Sequence, residues 1–366
     1  MQKIYMSAIE GVKEIISRTK TKKFMLVCGS SFENLPIRSS FENIGVPFVK
    51  FDEFSPNPDY DDVCKGVMKF NDEGCDTVIA VGGGSAIDVA KCIKLYSSMN
   101  KNKCFLEQEY KENEVPLAAV PTTAGTGSES TRFAVIYYKG VKQSVAHLSI
   151  IPQYVILDSS VLKPLPVYQK KCTLLDALCQ GIEAWWSVNS DDESKNYSEK
   201  AVELILANMD RYITENDDNA AKEIMLASNY AGRAINITQT TAAHAMSYKL
   251  TSLYGIPHGH AVSVCLPVVW SKMVENMDNC IDARGTKYLE NIFGEISHKF
   301  GGKTVKEAIG LFQNLLEKLE IKSPETSERE SDINVLASSV NATRLSNNPV
   351  KFSENELKEM YERILR

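Results

Sequence analysis

Thr77-Val78-Ile79-Ala80-Val81-Gly82-Gly83-Gly84-Ser85-Ala86-Ile87-Asp88 is the stretch that decides the fold. Thr77 and the four apolar residues after it read as a buried strand, three glycines as a tight turn, and Ser85 onward as a helix with Ile87, Ala90, Ile93 and Leu95 inward. The same grammar recurs on either side. Phe24–Cys28 is an apolar strand closed by Gly29-Ser30-Ser31, and Pro47–Phe51 is another. Residues 60–74 carry Val63, Val67 and Phe70 at helical spacing, and Leu117–Val120 is a strand closed by Pro121-Thr122-Thr123. Residues 133–138 and Tyr154–Leu157 are further strand-like runs. Strand and helix in alternation predict a parallel sheet with helices on both faces. After Asp158 the pattern changes to long helical periods at 168–186, 194–212, 218–238 and 304–318, joined by polar stretches at 187–194 and 323–331. The expectation is an α/β domain over 1–160 and an all-helical domain over 161–366.

Ligands of such sheets gather at the carboxyl ends of the strands. Gly29 and Ser30 lie at one such end, and Gly82, Gly83, Gly84, Ser85 and Asp88 at another. Glycine lets a backbone come close to a phosphate, and a helix N-terminus offers free N–H groups. A lone triple glycine is as readily a plain tight turn. Pro121-Thr122-Thr123-Ala124-Gly125-Thr126-Gly127-Ser128-Glu129 adds a second loop dense in hydroxyls and small residues, with Thr122, Thr123 and Thr126 suited to a ribose and a pyrophosphate. Two such loops point to a dinucleotide, although neither has the G-x-G-x-x-G spacing.

In the second half, Asp176 sits in the apolar run Thr173-Leu174-Leu175-Asp176-Ala177-Leu178, with Gln180 one helical turn on. A carboxylate among apolar neighbours needs a partner. Of five histidines, His244, His258 and His260 fall close together. A carboxylate with imidazoles suits a divalent first-row metal. Each residue taken singly is equally readable as a hydrogen-bonded core group.

Composition narrows the function classes. The 366 residues are 43% hydrophobic and 24% charged, with formal net charge −6 and pI near 5.6. That balance argues against nucleic acid or an anionic membrane as the main partner and leaves a small anionic substrate open. Nine scattered cysteines without a C-x-x-C pair argue against a disulfide framework or a thiolate zinc site. The N-terminal MQKIYMSAIEGVKEII lacks the apolar core of a signal peptide, and no run of 18 apolar residues occurs. A cytoplasmic protein is the expectation.

VIAVGGGSAIDVAK, PTTAGTGSE, LLDALCQGIEAWWS and the run from His244 through IPHGHAVSVCLP keep the order and approximate separation of motifs in the iron-containing (group III) alcohol dehydrogenase family. The chain resembles that family over residues 77 to 267. The resemblance implies a dehydroquinate synthase-like architecture, a dinucleotide domain followed by a helical metal domain. It implies a hydride transfer between a nicotinamide cofactor and a small aldehyde or alcohol, with a metal polarising the oxygen. The family's metal ligands, an aspartate and three histidines, map to Asp176, His244 and His258. At the fourth position this chain has Gln180, a neutral, harder ligand. Iron is expected, with zinc, manganese or nickel as substitutes. His260 and Tyr248 are the proton-delivery candidates; Tyr248 stands where many members have a further histidine. Homodimers or larger homo-oligomers are common in the family.

Many members that use NAD have an aspartate after the first strand, whereas here Gly29-Ser30-Ser31 leaves room for a 2′-phosphate, so NADPH is favoured over NADH. SESTRFAVIYY, DALCQGIEAWWSVNS and AHAMSYKLTSLYGIPHGHA look most like the phosphonoacetaldehyde reductases of the family. Arg132 and Lys249 are then the expected substrate cations, with Lys142 beyond the strand at 133–138. The rivals are a reductase of a neutral aldehyde or diol, a dehydroquinate synthase-like lyase, and a non-catalytic relative.

Overall fold

The structure, a computed structural model, describes residues 2–366. The chain forms two compact units, residues 1–165 with 214–232, and residues 166–213 with 233–366.

The first unit holds β1 (Lys3–Tyr5), β2 (Phe24–Cys28), β3 (Phe48–Phe51), β4 (Thr77–Gly82), β5 (Leu117–Pro121), β6 (Phe133–Tyr138), β7 (Val141–Ala146) and β8 (Tyr154–Ile156). Its helices are α1 (Ala8–Thr19), α2 (Arg38–Glu42), α3 (Tyr60–Asp72) and α4 (Gly84–Tyr96). Six strands form one parallel sheet in the order β1-β8-β5-β4-β2-β3. Strands β2, β4 and β5 are buried along their whole length, which is why they read as continuous apolar runs instead of alternating ones. From β2 the chain steps outward to β3; from β4 it steps the other way to β5. The reversal between β2 and β4 is a topological switch point, where a crevice opens at the strand carboxyl ends.

The sequence reading passed over two strands. β1 has three residues, none fully buried, and β7 (VKQSVA) is mostly exposed, so neither leaves an apolar run. β6 and β7 form an antiparallel hairpin whose two-residue turn puts Lys139 at φ 52° and Gly140 at φ 75°, the left-handed pair a tight hairpin requires.

The second unit is helical: α5 (Val167–Trp186), α6 (Asp192–Asp210), the later part of α7 (Asp218–Thr238), α8 (Ala242–Tyr254), α9 (His258–Glu275), α10 (Thr286–Lys299), α11 (Val305–Lys318), α12 (Arg329–Ser338), α13 (Ala342–Leu345) and α14 (Glu354–Ile364). α5 is its axis, packing on α6, α9 and α10. The family-implied expectation of a largely helical C-terminal part agrees with this. All nine cysteines are free. Among the described residues no helix is long and apolar enough to cross a membrane.

Candidate metal centre and dinucleotide loops

On α5, Asp176, Gln180 and Glu183 follow one another at i, i+4 and i+7, on one face, and all three are buried. Asp176 Oδ1 lies 3.4 Å from His244 Nε2 of α8 and 3.9 Å from His258 Nε2 of α9. Ligand atoms of these three residues lie within 4.8 Å of one another. Gln180 is at the same place, its Nε2 3.2 Å from Asp176 Oδ1. The oxygen and nitrogen of a side-chain amide exchange by a half-turn, so Gln180 can offer its oxygen to a cation instead.

Glu183 is fully buried and was absent from the sequence reading. Its Oε2 accepts from His244 Nδ1. Its Oε1 accepts from Thr241 Oγ1 at 2.7 Å, Thr241 N at 3.1 Å and His244 N at 3.3 Å. One carboxylate therefore satisfies open N–H groups at the start of α8 and fixes the His244 tautomer, turning Nε2 toward Asp176. The available signal was the third step of the α5 face, seven residues after Asp176.

The charges agree with this geometry. Burial alone would push the Asp176 and Glu183 carboxyls up, yet both lie below their ordinary values because His244 bonds to each and His258 adds to the field at Asp176. Burial pulls His244 down, but Glu183 and Asp176 outweigh it and raise it to about 9.

His258 begins α9, and its side chain is 36% exposed against 3% for His244, so it is the open edge of the cluster. Its ring stacks on Tyr248 at 5.7 Å with 4° between planes. The next residue has no room for a side chain: a Cβ on Gly259 would lie 1.9 Å from the Cys172 carbonyl oxygen and 2.9 Å from Asp176 Cβ. Glycine lets α9 lie directly against α5 and brings His258 within reach of Asp176.

His260, expected to deliver a proton, is engaged on both ring nitrogens. Nδ1 pairs with Tyr168 Oη at 2.8 Å and Nε2 with the Lys322 carbonyl at 2.7 Å. The carbonyl can only accept, so Nε2 carries the hydrogen and Nδ1 receives that of Tyr168. Neither nitrogen is turned to the metal cluster, and the role that geometry gives His260 is positional. Tyr248 is half-buried, its phenol pushed up by burial. Lys249 follows it on α8, also half-buried. Arg344, which the sequence reading did not single out, donates from Nη1 to Gln239 Oε1 at 2.7 Å, and its charge acts on the Tyr248 phenol.

In the first unit, three loops lie side by side at the switch point. Cys28 of β2 pairs with Val81 of β4, so Gly29 and Ser30 neighbour Gly82 and Gly83. Gly82 pairs with Pro121 of β5, and Thr122 N donates to the Gly82 carbonyl at 3.0 Å. Gly83 is the N-cap of α4 and makes no side-chain cap. A Cβ on Gly84 would stand 3.1 Å from the Thr126 side chain, and one on Gly83 3.5 Å from Thr123 Oγ1. The glycine and threonine loops thus face one another, tightly at Gly84 and in ordinary contact at Gly83, beside the open N–H groups at the start of α4. Ser85 is half-buried in the first turn of α4. Both carboxylate oxygens of Asp88 are engaged within the protein: Oδ1 accepts from Ser128 Oγ at 2.6 Å and Oδ2 from Val135 N at 2.9 Å. Its contribution to the loops is internal bracing, not the cofactor contact the sequence reading expected. Arg132, at the start of β6, lays its guanidinium over the Phe133 ring at 5.1 Å.

The chain aligns with a probable alcohol dehydrogenase, EutG, of Escherichia coli (strain K12), at 36% identity over 57% of this chain and 54% of that one. It therefore matches about half the length of that relative. It also aligns with the phosphonoacetaldehyde reductase of Streptomyces viridochromogenes, at 32% identity over 64% of this chain and 62% of the relative. Among solved structures, the sulfoacetaldehyde reductase of Bifidobacterium kashiwanohense, in complex with NAD+, superposes with a TM-score of 0.89 at 25% identity, covering 99% of this chain and 96% of that one. Residues 3–159 match the iron-containing alcohol dehydrogenase domain and residues 171–365 its C-terminal counterpart, so the chain belongs to the iron-containing alcohol dehydrogenase family.

Proposed function

We propose that the protein is a metal-dependent, NAD(P)H-linked alcohol dehydrogenase that reduces a small anionic aldehyde, phosphonoacetaldehyde to 2-hydroxyethylphosphonate being the leading candidate. The observation that carries the reaction class is the convergence of Asp176, His244 and His258 from three helices, with Glu183 behind His244. One carboxylate and two imidazoles are a donor set for a divalent first-row ion, with Gln180 as a fourth, neutral ligand. When bound, such an ion supplies Lewis acidity toward an aldehyde oxygen, and a nicotinamide supplies the hydride.

The chain's own residues do the rest. Asp176, His244 and His258 hold the ion, and Glu183 fixes the nitrogen that faces it. Gly83, Gly84, Thr122, Thr123 and Thr126 form the cofactor's phosphate and ribose cradle. Tyr248, protonated at neutral pH and held more firmly so by burial, lies ring to ring against His258 and would supply the proton to the alcohol product. His260 holds the Lys322 backbone and Tyr168 in place. Two relatives are named for aldehydes with an anionic group, a phosphonate and a sulfonate, which supports the anionic substrate class. Lys249 and Arg344 are the cations of the helical unit proposed to meet it.

NADPH is the proposed reductant because Gly29-Ser30-Ser31 has no acid. Lys50, the cation beside the end of β2, is shared with Glu33 at 2.8 Å and Asp52 at 3.0 Å, so a 2′-phosphate would meet the third hydrogen of an ammonium that two carboxylates already share. The test is a steady-state assay with NADPH and NADH, comparing phosphonoacetaldehyde with propionaldehyde on protein loaded with iron, zinc or manganese. A tenfold gain in kcat/KM for the phosphonate, about 1.4 kcal/mol, is expected. Equal turnover of propionaldehyde would leave a dehydrogenase of neutral aldehydes, and no turnover with any metal would sink the enzyme reading.

A further inference from the structure

We propose that Lys91 is a positioning residue for the dinucleotide, a latch that holds the glycine turn and the threonine loop in register; the inference rests on the dinucleotide reading above. Lys91 lies on α4 two turns after Gly84 and is fully buried. A buried ammonium is costly unless each of its hydrogens finds an acceptor. Lys91 Nζ finds three: Ser128 Oγ at 2.9 Å, Thr131 Oγ1 at 3.0 Å and the Phe133 carbonyl at 2.6 Å. All three lie on the segment that leaves the threonine loop and enters β6. Asp88, one turn earlier on the same face of α4, accepts from Ser128 Oγ at 2.6 Å and from Val135 N. Ser128 therefore accepts from the lysine and donates to the aspartate. The phosphate helix grips the second loop with a cation and an anion at once.

The grip matters because the two loops touch where the cofactor would lie. Thr126, two residues before Ser128, stands against Gly84. The loop's other side is fixed independently. A Cβ on Gly127, at φ 59°, would lie 2.5 Å from Gly232 Cα of α7, and Asn229 Nδ2 donates to Glu129 Oε1 and Ser130 Oγ at 3.1 and 2.7 Å. Without Lys91 the loop stays on α7 and keeps only the Asp88 bonds to α4, so its register with the glycine turn loosens. Fully buried, the ammonium touches no ligand, so its effect is indirect.

The experiment compares wild type with Lys91→Met and Ser128→Ala as full-length, metal-loaded proteins. NADPH and NADH dissociation constants are read by titration calorimetry, beside thermal melting and the KM and kcat of aldehyde reduction. Lys91→Met is expected to weaken cofactor binding tenfold or more and to raise cofactor KM far more than it lowers kcat. Ser128→Ala is expected to weaken binding about threefold, a hydroxyl's worth. Lys91→Met that melts earlier but binds cofactor within twofold of wild type would reduce the latch to a stability feature and overturn the proposal. If Lys91→Met does not fold, wild-type affinity in Ser128→Ala and in Thr131→Val overturns it equally. Wild type that binds neither cofactor sinks the dinucleotide reading and the latch together; wild type that binds, with unimpaired variants, sinks only the latch.

Discussion

The metal cluster and the dinucleotide loops are built on opposite principles. The cluster is made of side chains that arrive from three helices, with Asp176 and His258 far apart in sequence and a hidden carboxylate, Glu183, behind them. The loops are made of backbone: open N–H groups at α4, glycines where a Cβ would intrude, and local turns at adjacent strand ends. A site made of side chains fails when one of them is removed. A backbone cradle tolerates most single deletions and fails when its register shifts.

The largest effect should follow His244→Ala, which removes a proposed ligand and leaves the buried Glu183 without its cationic partner, held only by Thr241 and the backbone N–H of residue 244. Metal content and metal-dependent turnover should fall by more than about 100-fold, measured by elemental analysis and assay. Retention of metal would place the centre elsewhere. Next comes Gly259→Ala. Its Cβ would meet a carbonyl that α5 cannot move, so a loss of about 3 kcal/mol in stability is expected from denaturant unfolding; a neutral result would mean that α9 can slide. Glu183→Gln keeps the size and removes the charge, and should weaken metal binding about 10- to 100-fold with folding intact. Gln180→His restores the imidazole of the family pattern and should tighten metal binding by roughly tenfold; weaker binding would show that the glutamine is the adapted ligand. The smallest effect is expected in the cradle, where Ser85→Ala should raise the cofactor dissociation constant only about threefold. A hundredfold loss there would erase the contrast between the two regions.

The same contrast decides what could be read from the residues alone. The parallel sheet announced itself because β2, β4 and β5 are buried on both faces, and each glycine or threonine loop is contiguous with the strand that carries it. Asp176, His244 and His258 stood out by residue type and spacing as a possible metal set, but each is equally readable as a core group, and the resemblance is what mapped them to ligands. Glu183 and Arg344 were invisible for a related reason: one acts on a residue 61 positions away, the other on Gln239, 105 positions away. The inward turn of Asp88 and the double engagement of His260 are likewise long-range facts. Ser128 lies 40 residues after Asp88, and Tyr168 and Lys322 lie 92 and 62 residues from His260. Pattern reading places a residue on a face, and only the packed neighbours say what that face meets.

Glu183 also makes the metal cluster its own reporter. The amides of Thr241 and His244 are protected by the same carboxylate that holds His244 Nδ1. Their exchange with deuterated solvent therefore depends on how firmly that imidazole is held. Filling the centre should slow those two amides first, while the β-sheet of the first unit keeps its rate.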